Sequence, residues 1–197
     1  MTTKRIVLIT VIVLVLLAIA VSGFLWRRGY FVTARYAAIE AQSPQTLQVV
    51  SPAFADGAAI PIDHTCDGAS LSVPLSWSNV PTGTQGFALI SEDLDVPPIG
   101  FVHWVLFNIP VTETRLSEGL PADDILPFGA MHGNNGANHL GYLGSCPPSG
   151  SHRYVFKVYA LNSALALKPG VTKAELFEAM QGHLLSYGQT TGVYTRK

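Results

Sequence analysis

The sequence predicts a mainly β, antiparallel sandwich with one or two short helices, preceded by a single transmembrane helix. Three observations carry this. An uncharged apolar run opens the chain from Ile6 to Trp26. After it come several short apolar or alternating stretches separated by Gly, Pro and Asn. Only one later segment has clear helix signals, so strands and helices do not alternate as a parallel α/β sheet requires.

The apolar run is roughly 20 residues, enough to cross a bilayer core of about 30 Å as a helix. Ala18-Ile19-Ala20 resembles a signal-peptide cleavage site, but the run continues through Phe24-Leu25-Trp26. A signal core is only about 7–15 residues long, so the expectation is an uncleaved anchor over 1–26. Lys4 and Arg5 before the run and Arg27, Arg28 and Arg35 after it would lie near lipid headgroups. The expected location is therefore a single-pass, membrane-anchored protein with its domain on the extracytoplasmic side. Cys66 and Cys146, the only cysteines, permit one disulfide, which suits an oxidising exterior.

Residues 27–45 read as a juxtamembrane spacer. Arg35 to Gln42 has the length of two helical turns, with Ser43-Pro44 as a stop. The globular domain is expected over 46–197. Leu47-Gln48-Val49-Val50 is a short strand signal, and Leu75-Ser76-Trp77-Ser78 alternates. Phe87-Ala88-Leu89-Ile90 is continuously apolar, as expected of a buried strand. Phe101–Ile109 and Tyr154–Ala160 are further strands, and Thr191–Thr195 is a last one. Thr172 and Glu175 have capping-box spacing and start a helix whose Phe177, Met180 and Leu184 share a face, with Gly188 beyond its end. The Gly-, Asn- and Pro-rich stretch 127–150 is long for a loop in a compact domain, which points to function.

Charge narrows the partners. Residues 1–41 carry five Lys/Arg and one acid, whereas 42–197 carry seven Lys/Arg and twelve acids. An acidic domain repels polyanions, so nucleic acid is not an expected partner.

Three polar clusters adjoin the strong strands. Asp93 and Asp95 are two apart and share a face if the chain is extended there. Taken alone they make an acidic turn. His103 lies in an otherwise apolar strand, where a histidine is most often a hydrogen-bonded core residue. The segment from Gly141 to Tyr154 is a Gly/Pro loop leading into a strand. Two enzymatic readings compete. Cys146 with His103 or His152 has the residue types of a thiolate and its base. Asp93, His103 and His152 have the types of a two-histidine, one-carboxylate metal site, but no His-x-x-x-His or Cys-x-x-Cys spacing supports it.

Together, Asp93-Leu94-Asp95-Val96-Pro97, Gly100-Phe101-Val102-His103-Trp104 with Asn108-Ile109-Pro110, Gly144-Ser145-Cys146-Pro147-Pro148 and His152-Arg153-Tyr154 resemble the signature segments of the phosphatidylethanolamine-binding protein family. The likeness is greatest to its bacterial, Raf-kinase-inhibitor-like branch. His64-Thr65-Cys66-Asp67-Gly68, Pro74-Leu75-Ser76-Trp77 and the helix through Ala174, Glu175, Leu176 and Gly182-His183 are similar as well. The resemblance covers about 47–197. It implies a Greek-key-like sandwich with a small pocket for phosphate-type anions such as a phospholipid headgroup. It also implies a binding role without cofactor, metal or catalytic residue, and a possible protein partner. Carried over, the ligand-binding residues are Asp93, Asp95, His103, Tyr142, Gly144, Cys146, Pro147, His152 and Tyr154, with Cys66 and Cys146 as a disulfide candidate at the pocket mouth. Leu94 stands where the family usually has Pro between the two acids, and the chain stops soon after Tyr194, without the C-terminal helix of eukaryotic members.

Overall fold

The computed structural model describes residues 10–20, 23, 36–41, 43–97 and 100–196. The chain divides into two compact units, Met1–Ala38 and Ile39–Lys197.

In the first unit, residues 10–20 and 23 are helical, and the other residues of the expected 6–26 span lie outside the described ones. Here the sequence reading is corrected. Among the described residues no helix is long and apolar enough to cross a membrane. The transmembrane helix and the single-pass location inferred from it fall with that finding.

The second unit is a sandwich of two antiparallel sheets. The smaller has the order β1-β2-β5, with β1 at Gln48–Val50, β2 at Leu75–Ser78 and β5 at Arg115–Leu116. The larger has the order β6-β4-β3-β7-β8, with β3 at Gly86–Asp93, β4 at Phe101–Pro110, β6 at Met131–His132, β7 at Gly150–Leu161 and β8 at Leu184–Arg196. Inward side chains of the large sheet (Phe87, Leu89, Trp104, Leu106, Phe156, Val158) meet Val49, Leu75 and Trp77 of the small one in a single core. Trp77 and Phe87 touch edge to face at 5.2 Å across the layers.

The central strand β3 is buried along its whole length because its other face is covered too. The helix Lys173–Met180 buries Leu176, Phe177 and Met180, and Phe177 packs edge to face on Tyr159 of β7 at 5.6 Å. Its capping box forms as the Thr172/Glu175 spacing predicts. Lys173 also pairs with Glu92 on this face. Residues 36–41 are helical, and Glu40 accepts from Lys157 Nζ (2.7 Å) and the Tyr159 hydroxyl (2.6 Å). Burial, with the Glu40 charge beside it, drives the Tyr159 pKa well above the usual phenol range.

Leu184 does not follow the helical reading: it opens β8, in which Gly188, beyond the helix end as expected, pairs with Val158.

Two irregularities in the β3–β4 pairing matter for the site. Phe87 pairs with Ile109 but Leu89 with Leu106, so β4 carries an extra residue there. Asn108 takes it up with a φ of 52°, and its side chain exchanges two hydrogen bonds with the backbone of Leu165. Ser91 pairs with Trp104 but Glu92 with Val102, which leaves His103 as the extra residue of a second bulge.

Candidate functional site

The second bulge decides where His103 points. In an unbroken β4, His103 and Trp104 would face opposite sides of the sheet. The bulge turns both inward, and His103 lies edge to face against Phe101 (5.2 Å) and Tyr154 (5.1 Å). Register supplies the rest. Asp93 pairs with Phe101 on one side and with Tyr154 on the other, and His152 pairs with Tyr194 of β8. Asp93, His103, His152 and Tyr154 therefore gather on the inner face, at one end of the large sheet.

Asp93 is 1% exposed, and each of its oxygens is used. Oδ2 accepts from His152 Nδ1 at 2.7 Å, and Oδ1 accepts from the Asp95 N–H at 2.9 Å. Gly100 holds the chain close by: with a φ of +78°, it passes the Asp93 carbonyl so tightly that a Cβ would lie 2.8 Å from that oxygen.

Hydrogen-bond partners fix the histidine tautomers. His103 Nδ1 lies 2.8 Å from the Leu143 carbonyl, which can only accept, so Nδ1 carries the proton. His152 Nδ1 faces a carboxylate and is assigned likewise. Each ring keeps Nε2 for other partners: an acceptor when neutral, a donor when protonated. Burial lowers the His103 pKa, opposed by the Leu143 carbonyl, the Asp93 charge and Gly144. The Tyr154 hydroxyl is buried and has no hydrogen-bond partner among the described residues. Burial and then the Asp93 charge push its pKa far up, so it remains a neutral donor.

The loop 142–147 roofs this end. Ser145 forms a parallel bridge with Thr65; its N–H donates to the His64 carbonyl (3.2 Å), and its carbonyl accepts from the Cys66 N–H (3.1 Å). Cys66 and Cys146 are disulfide-bonded, with Cα atoms 5.3 Å apart. Gly144 is buried where a Cβ would meet the Ser70 side chain and the Thr65–Cys66 peptide. Pro147 is buried as well.

Not every sequence candidate belongs to this cluster. Asp95 does not share a face with Asp93, because β3 ends at Asp93 and the chain turns. Asp95 instead accepts from the Arg153 N–H (2.8 Å), Nε (3.0 Å) and Nη2 (2.6 Å). These bonds to Arg153 hold its pKa down at about 2. Tyr142 donates its hydroxyl to the His64 carbonyl at 2.8 Å and packs edge to face on Trp104 at 5.6 Å. Burial raises its pKa to about 12, so it is a wall and a brace for the loop. The loop N–H groups of Leu143 and Ser145 are spent on backbone partners, so the expected anion nest is smaller than the glycine content implied.

Sequence reasoning missed the rim. Tyr194 donates to Asp67 Oδ2 (2.8 Å), and Arg196 pairs with Asp67 Oδ1 (3.1 Å), beside a shallow recess of about 500 Å³ lined by Asp67, Tyr194, Thr195 and Arg196. Tyr194 could have been placed from strand alternation, but only with the β7–β8 register in hand.

Comparison with known proteins bears on this arrangement. Residues 50–195 match the family model of the phosphatidylethanolamine-binding proteins. A UPF0098 protein of Methanothermobacter thermautotrophicus is 47% identical over 144 residues, which is 73% of this chain and 95% of that protein. A UPF0098 protein of Chlamydia trachomatis is 38% identical over 155 residues, covering 76% and 99%. Among solved structures, a phosphatidylethanolamine-binding protein homologue from Chlamydia trachomatis superposes with a TM-score of 0.71 at 37% identity, covering 78% of this chain and 99% of that one. YbcL of E. coli, described as a new member of the mammalian family, gives a TM-score of 0.72 at 33% identity, covering 77% and 99%. The chain belongs to the phosphatidylethanolamine-binding protein family.

Proposed function

We propose that the second unit is a binding domain for a small phosphate-type anion, such as phosphoethanolamine or a phospholipid headgroup, and not an enzyme. The observation that carries this reading is the orientation of two histidines. Each has its Nδ1 held by an acceptor, and each leaves Nε2 for a ligand beside the unpartnered Tyr154 hydroxyl. A monoprotonated phosphate suits such a group. Its P–OH donates to a neutral imidazole, and its other oxygens accept from Tyr154 and from a protonated imidazole. Asp93 does not oppose the anion directly, since both its oxygens are occupied, one by His152 Nδ1 and the other by the Asp95 N–H.

Binding is favoured over catalysis because the reactive groups are committed. Cys146 is in a disulfide, so no thiolate is present for the Cys–His reading. Among the described residues, no three of His, Cys, Asp and Glu are grouped to hold a metal ion. The test is calorimetric titration of the full chain with phosphoethanolamine and with inorganic phosphate, alongside His103→Ala. Binding by the wild type that is lost in a folded His103→Ala protein supports the reading. Undiminished binding by that variant returns His103 to a core role. Turnover of phosphoesters would favour a hydrolase instead.

A further inference from the structure

The Cys66–Cys146 disulfide lies at the surface, with both residues exposed, and a guanidinium contacts one of its two sulfurs. Arg196 Nη1 is 3.6 Å from Cys146 Sγ. Asp67, the residue after Cys66, holds the other side of the same guanidinium at 3.1 Å and also takes the Tyr194 hydroxyl at 2.8 Å. A cation therefore faces one sulfur while a carboxylate follows the other in the chain.

We propose that Cys66 is a thiol-modification site: incoming thiolates attack its sulfur, and Cys146 is the leaving group. The reason is charge development in the exchange. The attacking sulfur bonds to Cys66 Sγ, the Cys66–Cys146 bond breaks, and its electron pair passes to Cys146 Sγ, where Arg196 stabilises the new thiolate. A neighbouring cation lowers a thiol's pKa, and the lower-pKa thiol leaves faster. Departure of Cys66 would instead build negative charge on the sulfur for which no guanidinium contact is seen. With a monothiol such as glutathione, the product is a mixed disulfide on Cys66 and a free Cys146. With a dithiol reductant, the second thiolate attacks that mixed disulfide, frees Cys66 and leaves the reductant oxidised.

The reaction would remove the covalent tie between the 142–147 loop and the 64–67 segment. The roof would then rest on the Ser145 backbone bonds and the Tyr142 hydroxyl. Any effect on ligand affinity rests on the anion-binding reading above; the sulfur chemistry does not, and the test reads only the sulfur.

The full chain is incubated with reduced glutathione, quenched with acid at early times, alkylated and mapped by peptide mass. The expected result is glutathione on Cys66 and alkylation on Cys146, in at least about threefold excess over the reverse pattern. Arg196→Gln, checked as folded by a thermal melt, slows adduct formation about threefold and evens the distribution, and Arg196→Lys restores the bias. Glutathione found mainly on Cys146, or equally on both, overturns the proposal. So does an unchanged bias in folded Arg196→Gln, or a disulfide that reacts only after unfolding in urea.

Discussion

Asp93→Asn changes almost nothing in volume, yet it should be costly. The carboxylate accepts from two donors at once, His152 Nδ1 and the Asp95 N–H. A carboxamide offers one oxygen. With its NH2 toward the Asp95 N–H, two donors oppose each other in a site that is 1% exposed; with its NH2 toward His152, the ring must take the Nε2–H tautomer to accept, and two charge-assisted bonds become neutral ones. A hydrogen bond to a charged group contributes about 1.5–3 kcal/mol, against about 0.5–1.5 kcal/mol for a neutral one. Asp93→Asn should therefore destabilise by about 1–2 kcal/mol, a fall in Tm of about 3–8 °C for a domain of this size. Urea unfolding at pH 7 with an unchanged m-value measures it. A loss under about 0.5 kcal/mol would refute the reasoning, because it would mean that the carboxylate does not serve both donors.

Three other outcomes are expected. His103→Ala should cost about 2 kcal/mol through the buried cavity and the lost bond to Leu143, read by the same unfolding curve. Replacing both cysteines with serine opens a link spanning 80 residues. On the chain-entropy account this costs about 4–5 kcal/mol, and a double variant as stable as the oxidised wild type would contradict it. Burial lowers the pKa of both His103 and His132. The folded state then declines protons that the unfolded chain accepts near pH 6.5. Stability should be full above that pH and fall below it, by at most about 1.4 kcal/mol per pH unit for each histidine. Unfolding curves from pH 8 to 5 test this, and His132→Gln should flatten the dependence.

Much of the sandwich was legible because burial on both faces writes itself into sequence. Phe87–Ile90 is apolar without alternation, and it forms part of the central β3 between the inner core and the 173–180 helix. That helix announced its start through Thr172 and Glu175. Its end was misread. Leu184 continues the helical spacing of Phe177 and Met180, but Gln181 is already extended, with a ψ of 129°, and the chain turns into β8. Most of β8 escaped notice because Ser, Gln, Thr and Gly interrupt its apolar pattern, and β5 and β6, at two residues each, leave no periodic trace. The apolar opening run met a length rule for bilayer spans, whereas among the described residues no helix is long and apolar enough to cross a membrane.

For the site, the motifs identified the segments but not their geometry. His103 faces Tyr154 only because β4 is bulged, a property of register that no local window reveals. Asp95 was grouped with Asp93 by spacing, but the turn after β3 hands it to Arg153. Tyr142 has the chemistry of a ligand donor, and its hydroxyl is consumed by the His64 carbonyl, 78 residues away in sequence.

The most direct test of the central claim is the imidazole nitrogen spectrum of the 15N-labelled full chain during titration with inorganic phosphate. The account predicts that His103 and His152 are both Nδ1–H tautomers without ligand near pH 7.5. Their Nε2 resonances should shift together and saturably as phosphate is added. Nε2 signals of His103 and His152 that stay fixed across the titration, while exposed His139 responds as much or more, would contradict it.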